Sequence, residues 1–410
     1  MAGTTGLDQS KIVDIDLGGA AFKQNAWTHL AQWAQSEPFY VPAEGGTEVV
    51  CGRYGDAQEV FLDTERFSSE LPKGRGFEKF DKYMGIQVLA QTDGAAHARI
   101  RKLLMPAFSS SSLTRLEGRI TELVDGMLDA IEGRAGDSFD AMRDYGAKII
   151  VGALLDAMLR LDEAQKAVFL EFHEVLPLTT YVKAGEPYPE VCVAALEKAR
   201  DMVDRIIEER RARPGDDFIS QLISARDADD KLSDEELFNQ TFTVCGAALS
   251  ATTRSMGGMM FALFSHPDQL DILKNEPDLM PMGIEECLRF GSGGYFTFPR
   301  VATCDTEVGG TKIMKGMIVR PSPQAANLDP KVFADPLRFD VRRNPKRILT
   351  FGAGPHLCVG NRLGKMAATI AISRLVQRFP HARLADPAFK PQYGGAVGEL
   401  RIGELPMLKH

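Results

Sequence analysis

A mainly α-helical fold with small β-sheets is predicted by three features of this sequence. Apolar residues recur at three- and four-residue spacing over long stretches, strand-like runs are few and short, and the last third is rich in glycine and proline. Over residues 115–133 ("RLEGRITELVDGMLDAIEG") and 195–213 ("ALEKARDMVDRIIEERRAR") that spacing puts the apolar side chains on one face of a helix. The longest helix is expected just after Leu232. Ser233 followed by Glu236 is a capping box, and His266-Pro267 is a stop. Between them lie roughly 32 residues, or about 48 Å of helix at 1.5 Å per residue.

Phe242 to Leu249 is apolar nearly all round, so this helix runs through the interior. Gly246, Ala247 and Ala248 leave little bulk on it, which suits either close helix packing or space beside a large flat ligand. Strand signals sit at residues 47–52 ("TEVVCG") and 306–322 ("TEVGGTKIMKGMIVRPS"), the second a hairpin with Gly309-Gly310 at its turn. No internal repeat or low-complexity linker interrupts the chain. One domain over residues 1–410 is expected, with 1–20 loosely ordered.

Composition narrows the class. Hydrophobic residues make up 44% and charged residues 25% of the 410, as in soluble globular proteins, and the chain can enclose a sizeable ligand. A net charge of −8 argues against broad nucleic-acid binding. No apolar run reaches signal-peptide or membrane-span length, so a cytoplasmic protein without a membrane partner is expected.

Six cysteines (Cys51, Cys192, Cys245, Cys287, Cys304, Cys358) are scattered with no CxxC pair, which fits neither a disulfide framework nor a four-ligand zinc site. Most read as buried small hydrophobes. Cys358 differs, because "FGAGPHLCVG" sets it in a glycine-rich turn ahead of a helical stretch. A nucleophile, a metal ligand and a buried filler all fit at this point.

Three signals then combine. "EECLRF" puts Glu286 and Arg289 one helical turn apart, "FADPLRFDVRR" offers Arg338, and Phe351, Gly354, Cys358 and Gly360 form F-x-x-G-x-x-x-C-x-G. In this order they resemble the heme-thiolate monooxygenases of the cytochrome P-450 superfamily, of the soluble bacterial type. The resemblance implies a single domain whose long central helix lies over heme b, with Cys358 as axial ligand to the iron. Helix N-terminal N–H groups would stabilise its thiolate, whose electron donation favours O–O cleavage. Phe351, Gly352 and Gly360 would lie beneath the porphyrin and Ala248 above it. Glu286, Arg289 and Arg338 would form a buried triad bracing the loop, and His97, Arg101, Arg300 and His356 would meet the propionates.

One departure stands out. The family's central-helix pattern, [AG]-G-x-[DE]-T, is met here by "ALSATT", residues 248–253. Thr252 fits the alcohol position, but Leu249 replaces the glycine and Ala251 the acid that links the site to solvent. Ser250, Thr253, ordered water or a substrate group would then complete proton delivery, a contribution commonly worth roughly 10²–10⁴-fold in rate.

The resemblance further implies O2 as co-substrate and electrons from NAD(P)H through a separate ferredoxin or flavodoxin. Arg343, Lys346, Arg347, Arg362 and Lys365 would supply a basic docking face near the cysteine. By the same analogy the pocket is lined by Phe77, Tyr83, Met84, Ile86, Val88 and Leu176. Val244, Ala248, Tyr295, Phe296, Phe298 and Val397 would complete it. Such a lining suits a small hydrophobic substrate, terpenoid or aromatic, for hydroxylation or dealkylation. The competing readings are a peroxide-driven or isomerase-type enzyme and a non-catalytic heme-thiolate sensor.

Overall fold

The longest element is the helix expected through the interior, Asp234–Phe264, 31 residues or about 46 Å. Its capping box is present: Glu236 N donates to Ser233 Oγ at 3.1 Å and Ser233 N to Glu236 Oε2 at 2.8 Å. His266-Pro267 ends it, and a new helix, Pro267–Asn275, starts with proline at its first turn. A computed structural model describes residues 7–43, 46–70, 88–176, 178, 182, 186–224, 226–227 and 230–410, without the side chains of 226–227, 230 and 246–248.

Two compact units divide the described chain. The first gathers residues 1–68, 120–150 and 252–410, and the second 69–119 and 151–251. The larger unit holds a five-stranded sheet in the order Phe39–Ala43, Gly46–Cys51, Ile318–Pro321, Arg300–Ala302, Phe67–Ser68. All its pairings are antiparallel except that of Gly46–Cys51 with Ile318–Pro321, where Val49 faces Val319. On one side of it Trp33, Phe22, Tyr295 and Phe296 pack into one buried cluster. The segment expected to be loosely ordered is pinned from Leu7 onward, with Leu7 buried and Ile12 bridged to Tyr40. Burial of those two apolar side chains against the sheet holds it there.

The hairpin expected over 306–322 divides. Thr306–Val308 pairs with Thr311–Ile313 through Gly309 and Gly310, both at positive φ (55° and 84°), as a type I′ turn requires. Gly316, at φ 82°, then redirects the chain, so that Ile318–Pro321 joins the central sheet instead.

The smaller unit is helical. Glu163–Val175, closed by an Asp162/Gln165 capping box, packs along Glu190–Ala212, the helix expected from the spacing over 195–213. Phe172 meets Phe242 of the central helix edge-on at 5.5 Å. The other helix expected from spacing, Ser110–Glu132, runs from one unit into the other. Among the described residues no helix is long and apolar enough to cross a membrane.

Within the larger unit the central helix meets Met280–Gly291 backbone to backbone. A Cβ added to Gly258 would lie 1.7 Å from the Gly291 carbonyl oxygen. Gly258→Ala is therefore expected to lower stability by about 3 kcal/mol or more in urea denaturation, since neither backbone can yield. Gly364→Ala, whose methyl meets no atom within 4 Å in the helix Asn361–Arg378, should be neutral or stabilising by up to about 1 kcal/mol.

Candidate active site

The glycine-rich turn around Cys358 is built by backbone geometry that only glycine adopts readily. Gly352 and Gly354 have φ of 71° and 70°, and between them the chain reverses before one 3₁₀ turn, Gly354–His356. Cys358 N donates to Phe351 O at 3.0 Å and closes the loop, while Asn361 Nδ2 donates to Cys358 O at 2.5 Å. The helix Asn361–Arg378 begins directly after Gly360. A side chain at Gly354 would press on Phe61 O (3.0 Å) and Leu62 Cδ2 (3.1 Å), so the loop sits tightly on the end of the helix Tyr54–Leu62.

Cys358 is exposed. Cys51, Cys192, Cys245 and Cys287 are buried, and burial pushes their thiols up, which keeps them protonated fillers as expected. Cys304 is exposed as well, in the bend before Thr306–Val308, and so departs from that expectation.

Behind the loop lies an ion cluster centred on Glu286 and Arg289, both fully buried. Arg289 grips Glu286 with two parallel bonds, Nε to Oε2 at 2.7 Å and Nη2 to Oε1 at 2.8 Å. Its remaining donors reach the carbonyls of Asn327 (2.9 Å), Pro336 (2.9 Å) and Arg338 (3.3 Å), so all five are used. Glu286 also accepts from Asp340 N and from Arg343 Nε, both at 3.1 Å.

The third charged member is thus Arg343, where Arg338 was expected. The Arg338 side chain is exposed, and only its carbonyl faces the cluster, accepting from Arg289 and Arg343. Arg343 in turn binds the carbonyls of Ala334, Asp335 and Arg338. Asn327 connects cluster to loop: its Oδ1 accepts from Leu349 N and its Nδ2 donates to Thr350 Oγ1, both at 2.8 Å. Nothing in the "QAANLDP" context marks Asn327 in the sequence, because its role depends on a carbonyl and an amide acting on different partners.

Arg300 is buried at the start of its strand, with its guanidinium 5.8 Å from the centre of the Phe61 ring. The same ring lies 3.9 Å from where a Gly352 Cβ would stand, so Arg300 and the cysteine loop share one neighbour. His356 is half-buried in the loop itself. In the smaller unit the helix Gly94–Leu104 carries His97, buried, and Arg101, half-buried, one turn apart.

Along the central helix Leu249 and Met256 are buried, yet Ala251 between them is exposed and Ser250, Thr252 and Thr253 are half-buried.

Of the expected pocket residues, Phe77, Tyr83, Met84, Ile86 and the Ala248 side chain lie outside the described residues. Val88, Leu176 and Val244 are half-buried, and Phe298 and Val397 exposed. Tyr295 and Phe296 are instead committed to the core. Tyr295 packs on Phe22 at 5.2 Å with its hydroxyl on Leu17 O, and Phe296 stacks on Trp33. The expected basic face also thins. Arg343 serves the buried cluster, and Lys365 pairs with Glu285 at 2.5 Å and lies over the Phe351 ring, which leaves Lys346, Arg347 and Arg362 exposed.

The donor set fits a porphyrin. Among the described residues no group of three or more His, Cys, Asp or Glu could hold a bare metal ion, whereas one exposed sulfur suffices when a macrocycle supplies four nitrogens. A methyl on Gly360, two residues beyond Cys358, would meet no atom within 4 Å, so no protein side chain packs on that backbone.

Arg343→Ala should cost about 1–3 kcal/mol in urea denaturation, because Glu286, still paired with Arg289, loses one charge-assisted bond and three carbonyls lose their donor. Arg338→Ala, which keeps its carbonyl, should leave stability unchanged.

Residues 25–396 match the family model described as Cytochrome P450. The chain is 34% identical over 299 residues to the nocardicin C N-oxygenase of Nocardia uniformis subsp. tsuyamanensis, covering 72% of each. It is 31% identical to the steroid C26-monooxygenase of Mycobacterium tuberculosis (strain H37Rv), covering 81% of this chain and 82% of that one. The solved structure of the bacillaene polyketide synthase cytochrome P450 PksS of Bacillus subtilis superposes with a TM-score of 0.86 at 24% identity, over 96% and 99% of the two chains. The chain belongs to the cytochrome P450 family of heme b monooxygenases.

Proposed function

We propose that Cys358 is the axial thiolate of the heme and that the chain oxygenates a small hydrophobic compound. The observation that carries this reading is the exposed thiol in a positive-φ glycine turn at a helix start, braced from behind by a fully satisfied ion cluster. Heme b, when bound, supplies the activation of O2. The N-terminal N–H groups of Asn361–Arg378 favour negative charge on the nearby sulfur, which holds Cys358 in its thiolate form. His97, Arg101, Arg300 and His356 supply the positive charge and donors that two propionates require.

On the distal side Thr252 is the proposed hydroxyl. With Ala251 in place of an acid, Ser250, Thr253 or water passes the protons on. The same gap favours the second reading, a peroxide-driven or isomerase-type enzyme, which needs less of that relay. The relatives named above differ in substrate, so likeness to them supports oxygenation and does not choose a compound; an apolar terpenoid or aromatic remains the class proposed.

Electrons arrive from a separate redox protein. Lys346, Arg347 and Arg362 suit an acidic ferredoxin or flavodoxin, with association that weakens as salt rises.

Two measurements test this reading. The reduced, carbon-monoxide-bound protein should show the red-shifted Soret band of thiolate ligation, and Cys358→Ala should abolish both that band and NAD(P)H-driven turnover. Survival of either would overturn the assignment, and turnover faster with peroxide than with NAD(P)H and a donor would favour the second reading. Arg362→Glu should raise the KM for an acidic donor about 10-fold at low ionic strength and much less in high salt. An unchanged KM would place the docking face elsewhere.

A further inference from the structure

The segment 246–255, "GAALSATTRS", holds only two side chains of any length, Leu249 and Arg254. Its threonines and serines are poor helix formers, and Gly257 and Gly258 follow. A helix of this composition keeps its place through tertiary contacts. Arg254, two residues beyond Thr252, supplies one. Its Nη1 donates to Glu399 Oε1 at 3.0 Å, with both side chains largely buried. The guanidinium also lies flat against the backbone of Gly293-Gly294. A Cβ on Gly294 would stand 2.8 Å from Nη2 and 3.2 Å from Cζ, and one on Gly293 3.1 Å from Cγ.

The small residues of "GSGG" therefore make room for an arginine. Glu399 is itself held, its Oε2 accepting from Ala396 N at 3.3 Å, and its neighbours Leu400 N and Gly398 O pair with Gly293 O and Tyr295 N. Burial disfavours the Arg254 charge and Glu399 opposes that effect, so removing either leaves the other without its charge partner.

We propose that Arg254 is a positioning residue: through Glu399 and the Gly293-Gly294 backbone it anchors the central helix just beyond Thr252 and so sets where the Thr252 hydroxyl stands. The inference rests on the reading of Thr252 as the distal alcohol. It gives this chain a fixed point in the helix at the place where the acid of the family pattern is missing.

The test uses the heme-loaded enzyme and the variants Arg254→Met, Arg254→Lys, Glu399→Gln and the Met/Gln double. Each variant should keep the thiolate Soret band. Arg254→Met and Glu399→Gln should each raise peroxide released per NAD(P)H about 10-fold, as expected when a positioned group shifts by a fraction of an ångström. Amide exchange should quicken at both 252–258 and 393–400. The double variant should add little to either single, and Arg254→Lys should recover part of the coupling.

Unchanged peroxide release, or exchange quickened at 393–400 alone, would overturn the proposal, because the pair would then only staple the 393–400 segment. Thr252→Ala separates the two readings: if it leaves peroxide release unchanged, the alcohol assignment fails, while exchange at 252–258 still decides the anchor. Should Arg254→Met not fold, Glu399→Gln and Arg254→Lys carry the same two readouts.

Discussion

Glu286 is a carboxylate with no access to water, and the C-terminal third is arranged around that fact. A charge so placed persists only if opposite charge and donors replace its hydration. Arg289 and Arg343 provide the charge, and their spare N–H groups need acceptors of their own. Those acceptors are carbonyls of Asn327, Ala334, Asp335, Pro336 and Arg338, all in chain without regular structure. One ionised group thereby shapes a long connection that no hydrophobic periodicity specifies. Through Asn327 and Thr350 the order reaches Phe351, whose carbonyl closes the cysteine turn.

How much of this is visible in the amino-acid string depends on whether the determining contact is local. Ser233 and Glu236 are three residues apart, and their mutual bonds form as the pattern predicts. Gly309-Gly310 and the regularly spaced helices are equally local, and they too are legible. Arg338 was read as the buried member by resemblance and Arg343 as a surface charge; the two lie five residues apart in irregular chain, where no periodicity tells which side chain goes inward. Tyr295 and Phe296 looked like pocket lining by position, yet Phe22 and Trp33, over 260 residues earlier, take them into the core. Arg254 and Glu399 carry no mutual signal at all across 145 residues.

The functional elements divide in a similar way. The cysteine turn is a short, stiff motif whose glycines and spacing announce it. The stretch 246–255 is the reverse, a run of small side chains with little helical preference of its own, exposed at Ala251 and with Arg254 paired to Glu399.

Where Gly258 and Gly291 touch, main chain lies on main chain with no side group between. Such a junction loses no side-chain rotamer entropy when it forms, although ordering its two glycines costs more backbone entropy than ordering other residues. It also offers evolution no compensating move, because a neighbour with no side chain has nothing to shrink. A side chain at either position would have to displace backbone, whereas a change in the aromatic cluster around Trp33 needs only other side chains to move.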